Sequence, residues 1–202
     1  MENKPLYNPL DKRNLGKSVV DALLATEVKP LKDVGTFKGA GVYAIYYTGN
    51  HPAYEKLAKI NTKAARVPIY VGKAIPKGGR KGASIDSSQE SQALSARLQE
   101  HASSVAIATN LSLDDFSCRY LVVDDVWIPL GEALLIQKYH PVWNTVVDGF
   151  GNHDPGGGRY VGKRPLWDEL HPGRAWAAKC TPPKFEAKGI LFLVSKYMKS
   201  VR

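Results

Sequence analysis

Three short runs rich in β-branched and aromatic residues constrain this chain most: Gly41–Tyr47 (GVYAIYY), residues 68–74 (PIYVGKA) and residues 116–123 (FSCRYLVV). Such runs read as core strands, and the stretches between them place apolar residues at helical spacing instead. Residues 54–66 are helix-like and basic, and residues 91–105 carry Leu94, Leu98 and Val105 on one face. Residues 130–139 form a further helix, stopped by Pro141. Three strands interleaved with helices over residues 38–147 predict an α/β (α+β) core built on a small sheet, with an insertion over residues 48–67 that is too long for a tight hairpin.

Residues 1–37 are punctuated by Pro5, Pro9, Gly16, Pro30 and Gly35 around one helix-like piece at residues 18–26, and read as an arm. Its apolar residues Leu6, Tyr7, Leu10, Val19, Val20, Leu23 and Leu24 need cover, which a partner subunit is expected to supply; the competing account is an arm folded back on its own core, with subunits meeting only on DNA. A Gly, Lys and Ser loop occupies residues 76–91. Residues 148–202 form an extension: a long loop, a short helix at residues 167–170, the run HPGRAW and a final apolar-basic segment.

The 202 residues carry a net charge of +9, unevenly distributed. Residues 38–110 hold ten basic and four acidic side chains, residues 111–150 two and six, and residues 151–202 ten and four. Two basic segments flanking an acidic one suit phosphate-gripping surfaces around a carboxylate-bearing site, and so a nucleic-acid partner. A solvated basic face with no partner is the bland alternative. No stretch approaches the roughly 18 apolar residues of a membrane span, and residues 1–16 have no apolar leader core, so a cytoplasmic protein is expected. Cys118 and Cys180 stand apart, outside any CxxC, and read as small buried residues.

In the helix at residues 130–139, Glu132 shares a stripe with Leu135, Ile136 and Tyr139, so its carboxylate faces inward and should meet an arginine or a divalent ion. Alternatively it is a helix N-terminal Glu reaching solvent. Arg97 and His101 lie one turn apart, a spacing that taken alone is more often a surface pair but also suits holding a phosphate beside a proton carrier. Tyr43 and Tyr70 stand near Gly41 and Gly72, and glycine lets another group approach a strand closely.

Taken together, GVY at residues 41–43, YVG at residues 70–72, Arg97 with His101, Glu132, and Asn144 resemble the GIY-YIG nuclease superfamily in order, over residues 39–145. The resemblance implies a three-stranded antiparallel sheet flanked by helices. The long link between Tyr43 and Tyr70, the phrase LIQKYHPVWNTVVDGFGNHDPGGGR and HPGRAW look like the type II restriction endonucleases of this superfamily that cut the palindrome CCGCGG. It implies a catalytic set of Tyr43, Tyr70, Arg97, His101, Glu132 and Asn144. It further implies one Mg²⁺ on Glu132, double-stranded DNA as substrate, and a homodimer matching the two-fold symmetry of the target. Tyr43 is the expected general base, with His101 or Lys73 assisting. Arg66, Arg80, Arg159, Arg164 and Arg174 are candidates for reading guanine, while Lys56, Lys59 and Lys63 suit phosphates.

Rival readings are weaker. His140, Asn144 and His153 sit too close for an HNH site, and Asp168 with Glu186 and Lys188 lacks the strand pair of a PD-ExK site. Gly156, Gly157 and Gly158 lack the Lys-Ser/Thr ending of a phosphate loop. A non-catalytic basic nucleic-acid-binding module and a repair or homing GIY-YIG nuclease remain as alternatives.

Overall fold

In the computed structural model, which describes Asn8, residues 10–76 and residues 87–201, strand β2 (Gly41–Tyr47) is the buried centre of the molecule. It pairs antiparallel with β3 (Tyr70–Ala74) on one side and β4 (Phe116–Val122) on the other. A fourth strand corrects the expected three: Lys29–Pro30 (β1) pairs antiparallel with β4, giving the order β1-β4-β2-β3. Two residues ending in Pro carry no strand signal of their own, and only pairing at a sheet edge, where Pro is tolerated, makes them one.

Alternation along β2 and β3 divides the sheet into two faces. Tyr43 lies opposite Gly72 and Ile45 opposite Tyr70, on the face covered by helix α4 (Ala93–Ile107) through Leu94, Leu98 and Val105. Val42, Ala44, Tyr46 and Val71 form the other face, covered by α1 (Lys12–Ala25) and α5 (Ile128–Tyr139).

The described part of the arm covers its own chain, contrary to expectation: Val19, Val20 and Leu23 are buried among Val42, Ala44, Tyr46 and Leu135. Burying three such side chains contributes on the order of 5–9 kcal/mol, before chain entropy, to docking α1 on this sheet. Leu6 and Tyr7 lie outside the described residues.

Between β2 and β3, helix α2 (Glu55–Asn61) ends five residues short of the expected boundary because the buried Asn61 side chain turns the chain. Its Nδ2 donates to the carbonyls of Tyr47 and Val67, and its Oδ1 accepts from the N–H groups of Arg66 and Val67. The short helix α3 (Ser87–Glu90) precedes α4. After α5, helix α6 (Val142–Thr145) lies along the outer edge of β3, Trp143 N donating to the Ile69 carbonyl at 3.0 Å. Trp167 and Leu170 of α7 (Leu166–Leu170), and Ile190, Val194 and Met198 of α8 (Ala187–Met198), join Tyr43, Ile45 and Trp143 in one core. The extension is thus packed into the nuclease-like core. Both cysteines are free and buried, as the sequence suggested. Among the described residues, no helix is long and apolar enough to cross a membrane.

Candidate active site

The geometry of the site begins with β3 at a sheet edge. Its outward backbone groups are capped by Asn144: Oδ1 accepts from Val71 N–H and Nδ2 donates to Val71 O, both at 2.8 Å. This two-point bond to a single residue fixes the height of β3 and so places Tyr70, Gly72 and Lys73, which makes Asn144 a group that orients the site.

On the α4 face, the Tyr43 hydroxyl lies 2.6 Å from His101 Nε2, with the side chains 0% and 1% exposed. A side chain on Gly72 would collide with that hydroxyl, so the second glycine motif clears room for the tyrosine of the first. Tyr70 is tilted against Tyr43 with ring centroids 6.2 Å apart, and it meets His101 edge-on at 5.2 Å.

Arg97 emerges one turn before His101 into a cleft of about 1070 Å³ lined also by Lys73, Ala96, Glu100 and His153. Its side chain, 18% exposed, donates to Glu100 at 2.9 Å, to His153 Nε2 at 2.6 Å and to the Gly151 carbonyl. Arg97 and His101 are therefore a buried and half-buried pair at the cleft floor, not a surface pair.

Burial, reinforced by Tyr70, pushes the Tyr43 hydroxyl well above the ordinary tyrosine range, while Arg97 pulls the other way. Burial likewise holds His101 well below the ordinary histidine range, helped by the positive charges of Arg97 and Arg174 and by His153. The pair rests as neutral phenol donating to neutral imidazole.

Lys73 projects to the opposite face, since its register partner is Val42. There its Nζ lies 2.6 Å from Glu132 Oε2, and the carboxylate side chain is 21% exposed. The inward Glu132 does meet a cation, but a lysine. Lys73 is placed with Glu132, and it is His101 that holds the Tyr43 hydroxyl. Lys73 also lines the cleft, which puts the Lys73–Glu132 pair beside the Arg97 side.

A divalent ion is commonly held by one or two carboxylates together with phosphate oxygens and water. No group of three His, Cys, Asp or Glu side chains is arranged for a metal among the described residues. Glu132, partly exposed and paired with the cleft-lining Lys73, is a carboxylate that fits an ion arriving with an anionic substrate.

The basic candidates scatter. Lys56, Lys59, Lys63 and Arg66 are exposed on and just after α2, Lys59 pairing with Glu55 at 2.5 Å, and Arg159 is exposed in the long loop. Arg164 donates to Glu169 at 2.8 Å and to the Ala177 carbonyl. Arg174 is withdrawn from any base edge: it is buried, paired with Asp168 at 2.5 Å, and donates to three backbone carbonyls. Arg80 lies outside the described residues.

Sequence reasoning missed what residues 149–153 contribute. Gly151 O and His153 hold Arg97, and the Phe150 ring stacks on His101 with centroids 4.4 Å apart. The only sequence signal was that the phrase containing DGFGNHD belongs to the resemblance. No curated protein matches the chain. Residues 35–198 match the family model described as the Eco29kI GIY-YIG domain, a span that takes in strands β2, β3 and β4, every residue of the cleft and nearly the whole extension. With GVY and YVG on paired strands and the Tyr43–His101 pair set one helical turn from Arg97, the chain belongs to this GIY-YIG family of type II restriction endonucleases and is a nuclease of that family.

Proposed function

We propose that the protein hydrolyses phosphodiester bonds of double-stranded DNA at a short G·C-rich palindrome, CCGCGG, the sequence that Eco29kI recognises. The observation that carries this reading is the Tyr43–His101 pair at 2.6 Å beneath Arg97, with Glu132 acting on both tyrosines.

Arg97 binds the scissile phosphate, exchanging its bonds to Glu100 and His153 for phosphoryl oxygens. The incoming negative charge offsets the Arg97 charge that holds His101 down, so the imidazole becomes a better base as substrate binds. As water attacks phosphorus, the Tyr43 oxygen takes its proton while the Tyr43 proton passes to His101 Nε2, so no free phenolate forms. Tyr70 orients the phosphate, and Asn144 keeps β3 in place. Glu132 would hold Mg²⁺, which when bound supplies Lewis-acid stabilisation of the phosphate and the leaving oxygen. Lys73 neutralises Glu132 in the free protein.

Two copies related by a two-fold axis place one site on each strand of the palindrome. Lys56, Lys59, Lys63 and Arg66 grip phosphates, and the exposed Arg159 is the best-placed of the guanine-reading candidates in the extension.

The test is Glu132→Gln, which keeps shape but removes the hard anionic ligand. Cleavage of a CCGCGG duplex in Mg²⁺ should drop about 10³-fold or more, while duplex binding in Ca²⁺ persists. Cleavage undiminished by EDTA, or by the substitution, overturns the metal assignment. Sequencing the cut ends, with sedimentation on the cognate duplex, reads the target and the stoichiometry directly. Ends mapping to another sequence, or one copy per duplex, overturn those two parts.

A further inference from the structure

HPGRAW lies outside the tyrosines, the α4 pair and Glu132, yet its arginine is the most heavily engaged side chain near the site. Arg174 Nε donates to Asp168 Oδ1 at 2.6 Å and Nη2 to Asp168 Oδ2 at 2.5 Å. The remaining donors reach Phe150 O at 3.1 Å, Asn152 O at 2.9 Å and Gly149 O at 2.9 Å. The guanidinium is sandwiched between Trp167 and Trp176, 4.6 and 4.9 Å from their ring centroids. Three of the four carbonyls in residues 149–152 are thus tied to one buried cation. The fourth, Gly151 O, accepts from Arg97 Nη2. A Cβ at Gly151 would press on the Tyr70 hydroxyl, so the turn lies directly against the site. Phe150, held by the same arginine through its carbonyl, stacks on His101 at 20°.

We infer that Arg174, locked by Asp168, is a positioning residue for the nuclease site: it fixes the turn at residues 149–152 so that Gly151 O aims Arg97 and the Phe150 ring clamps His101. This inference rests on the proposed roles of Arg97 and His101. It gives the extension a task in the chemistry itself. A planar fork with five donors can hold a carboxylate and three carbonyls together, whereas an ammonium cannot. A shift of about 1 Å in a positioned catalytic group costs on the order of 10²-fold in rate.

The experiment uses the full chain with Arg174→Lys, and Asp168→Asn as a second variant should the first fail to fold. Single-turnover cleavage of the cognate duplex should fall about 10²-fold with duplex affinity within about twofold, because the loss lies in aim and not in binding. In an Arg97→Lys background the same substitution should cost clearly less than about 10²-fold, since the part exerted through the Arg97 guanidinium is already lost. The His101 ring resonances should shift as the stacked Phe150 ring moves. Additive penalties, or unshifted His101 resonances in a folded variant, overturn the inference. Should the wild-type protein cut no duplex, the proposed function fails, and the His101 resonances still decide whether Arg174 fixes the turn.

Discussion

Two tyrosine–histidine pairs are buried in this chain with nearly the same contact, Tyr43–His101 at 2.6 Å and Tyr54–His171 at 2.8 Å. In both, burial raises the phenol and lowers the imidazole, His171 to about 3. Their surroundings separate them. Trp143 Nε1–H donates to the Tyr54 oxygen, the Tyr54 hydroxyl donates to His171 Nε2, and His171 Nδ1–H donates to Asn110 Oδ1. That chain begins and ends in neutral protein groups and ties the insertion, α6 and the extension together. The Tyr43 pair instead lies under Arg97 at the cleft floor and within the field of Glu132. A hydrogen-bonded Tyr–His pair is therefore a structural part until a charge beside it changes when substrate arrives.

The largest effect should come from deleting one hydroxyl in each pair. Tyr43→Phe removes the proposed proton carrier and should slow single-turnover cleavage by about 10²–10⁴-fold with duplex affinity retained. Tyr54→Phe, measured well below its unfolding temperature, should cleave at the wild-type rate. Equal rates for both variants would break the distinction between the pairs.

The stability effects should run the other way. Tyr54→Phe strands two buried polar groups, Trp143 Nε1 and His171 Nε2, at a cost of about 1–3 kcal/mol each. Tyr43→Phe strands only His101 Nε2, so its cost should fall nearer the low end. Urea unfolding of both variants measures this, and a larger loss in Tyr43→Phe would reverse the assignment of the structural pair.

What was legible in the sequence follows the same division. Strands β2, β3 and β4 were readable because their β-branched and aromatic density is local, and Tyr43, Tyr70, Arg97, His101 and Glu132 because the GIY-YIG pattern orders them. Lys29–Pro30 became a strand only through its partner, and α2 stopped where Asn61 found acceptors in Tyr47 and Val67. Arg174 looked like a DNA reader because it is one of the arginines of the extension, and a G·C-rich target is read best by arginine. Its acceptors, 22 to 25 residues away, exist only once the turn has folded. The Tyr54–His171 bond spans 117 residues, and no local spacing announces it.

The smallest effect, and the one in which the two pairs should agree, is the pH dependence of stability. Burial lowers His101, His171 and, half-buried beside them, His51 below the unfolded value of 6.5. Below pH 6.5 the unfolded chain binds protons that the folded chain refuses, so stability present above that pH is lost as pH falls, for His171 down to about 3. Each fully depressed histidine contributes a slope of about 1.4 kcal/mol per pH unit. The window between about pH 6.5 and 5 lies above the ordinary carboxylate range, so the histidines should dominate the slope there. Urea unfolding across that window should show stability falling with acid in the wild-type chain. His171→Gln should remove roughly one histidine's share of the slope and leave that of His101. An unchanged slope in His171→Gln would mean that this imidazole is protonated in the folded chain, which the Tyr54 hydroxyl donating to its Nε2 does not allow.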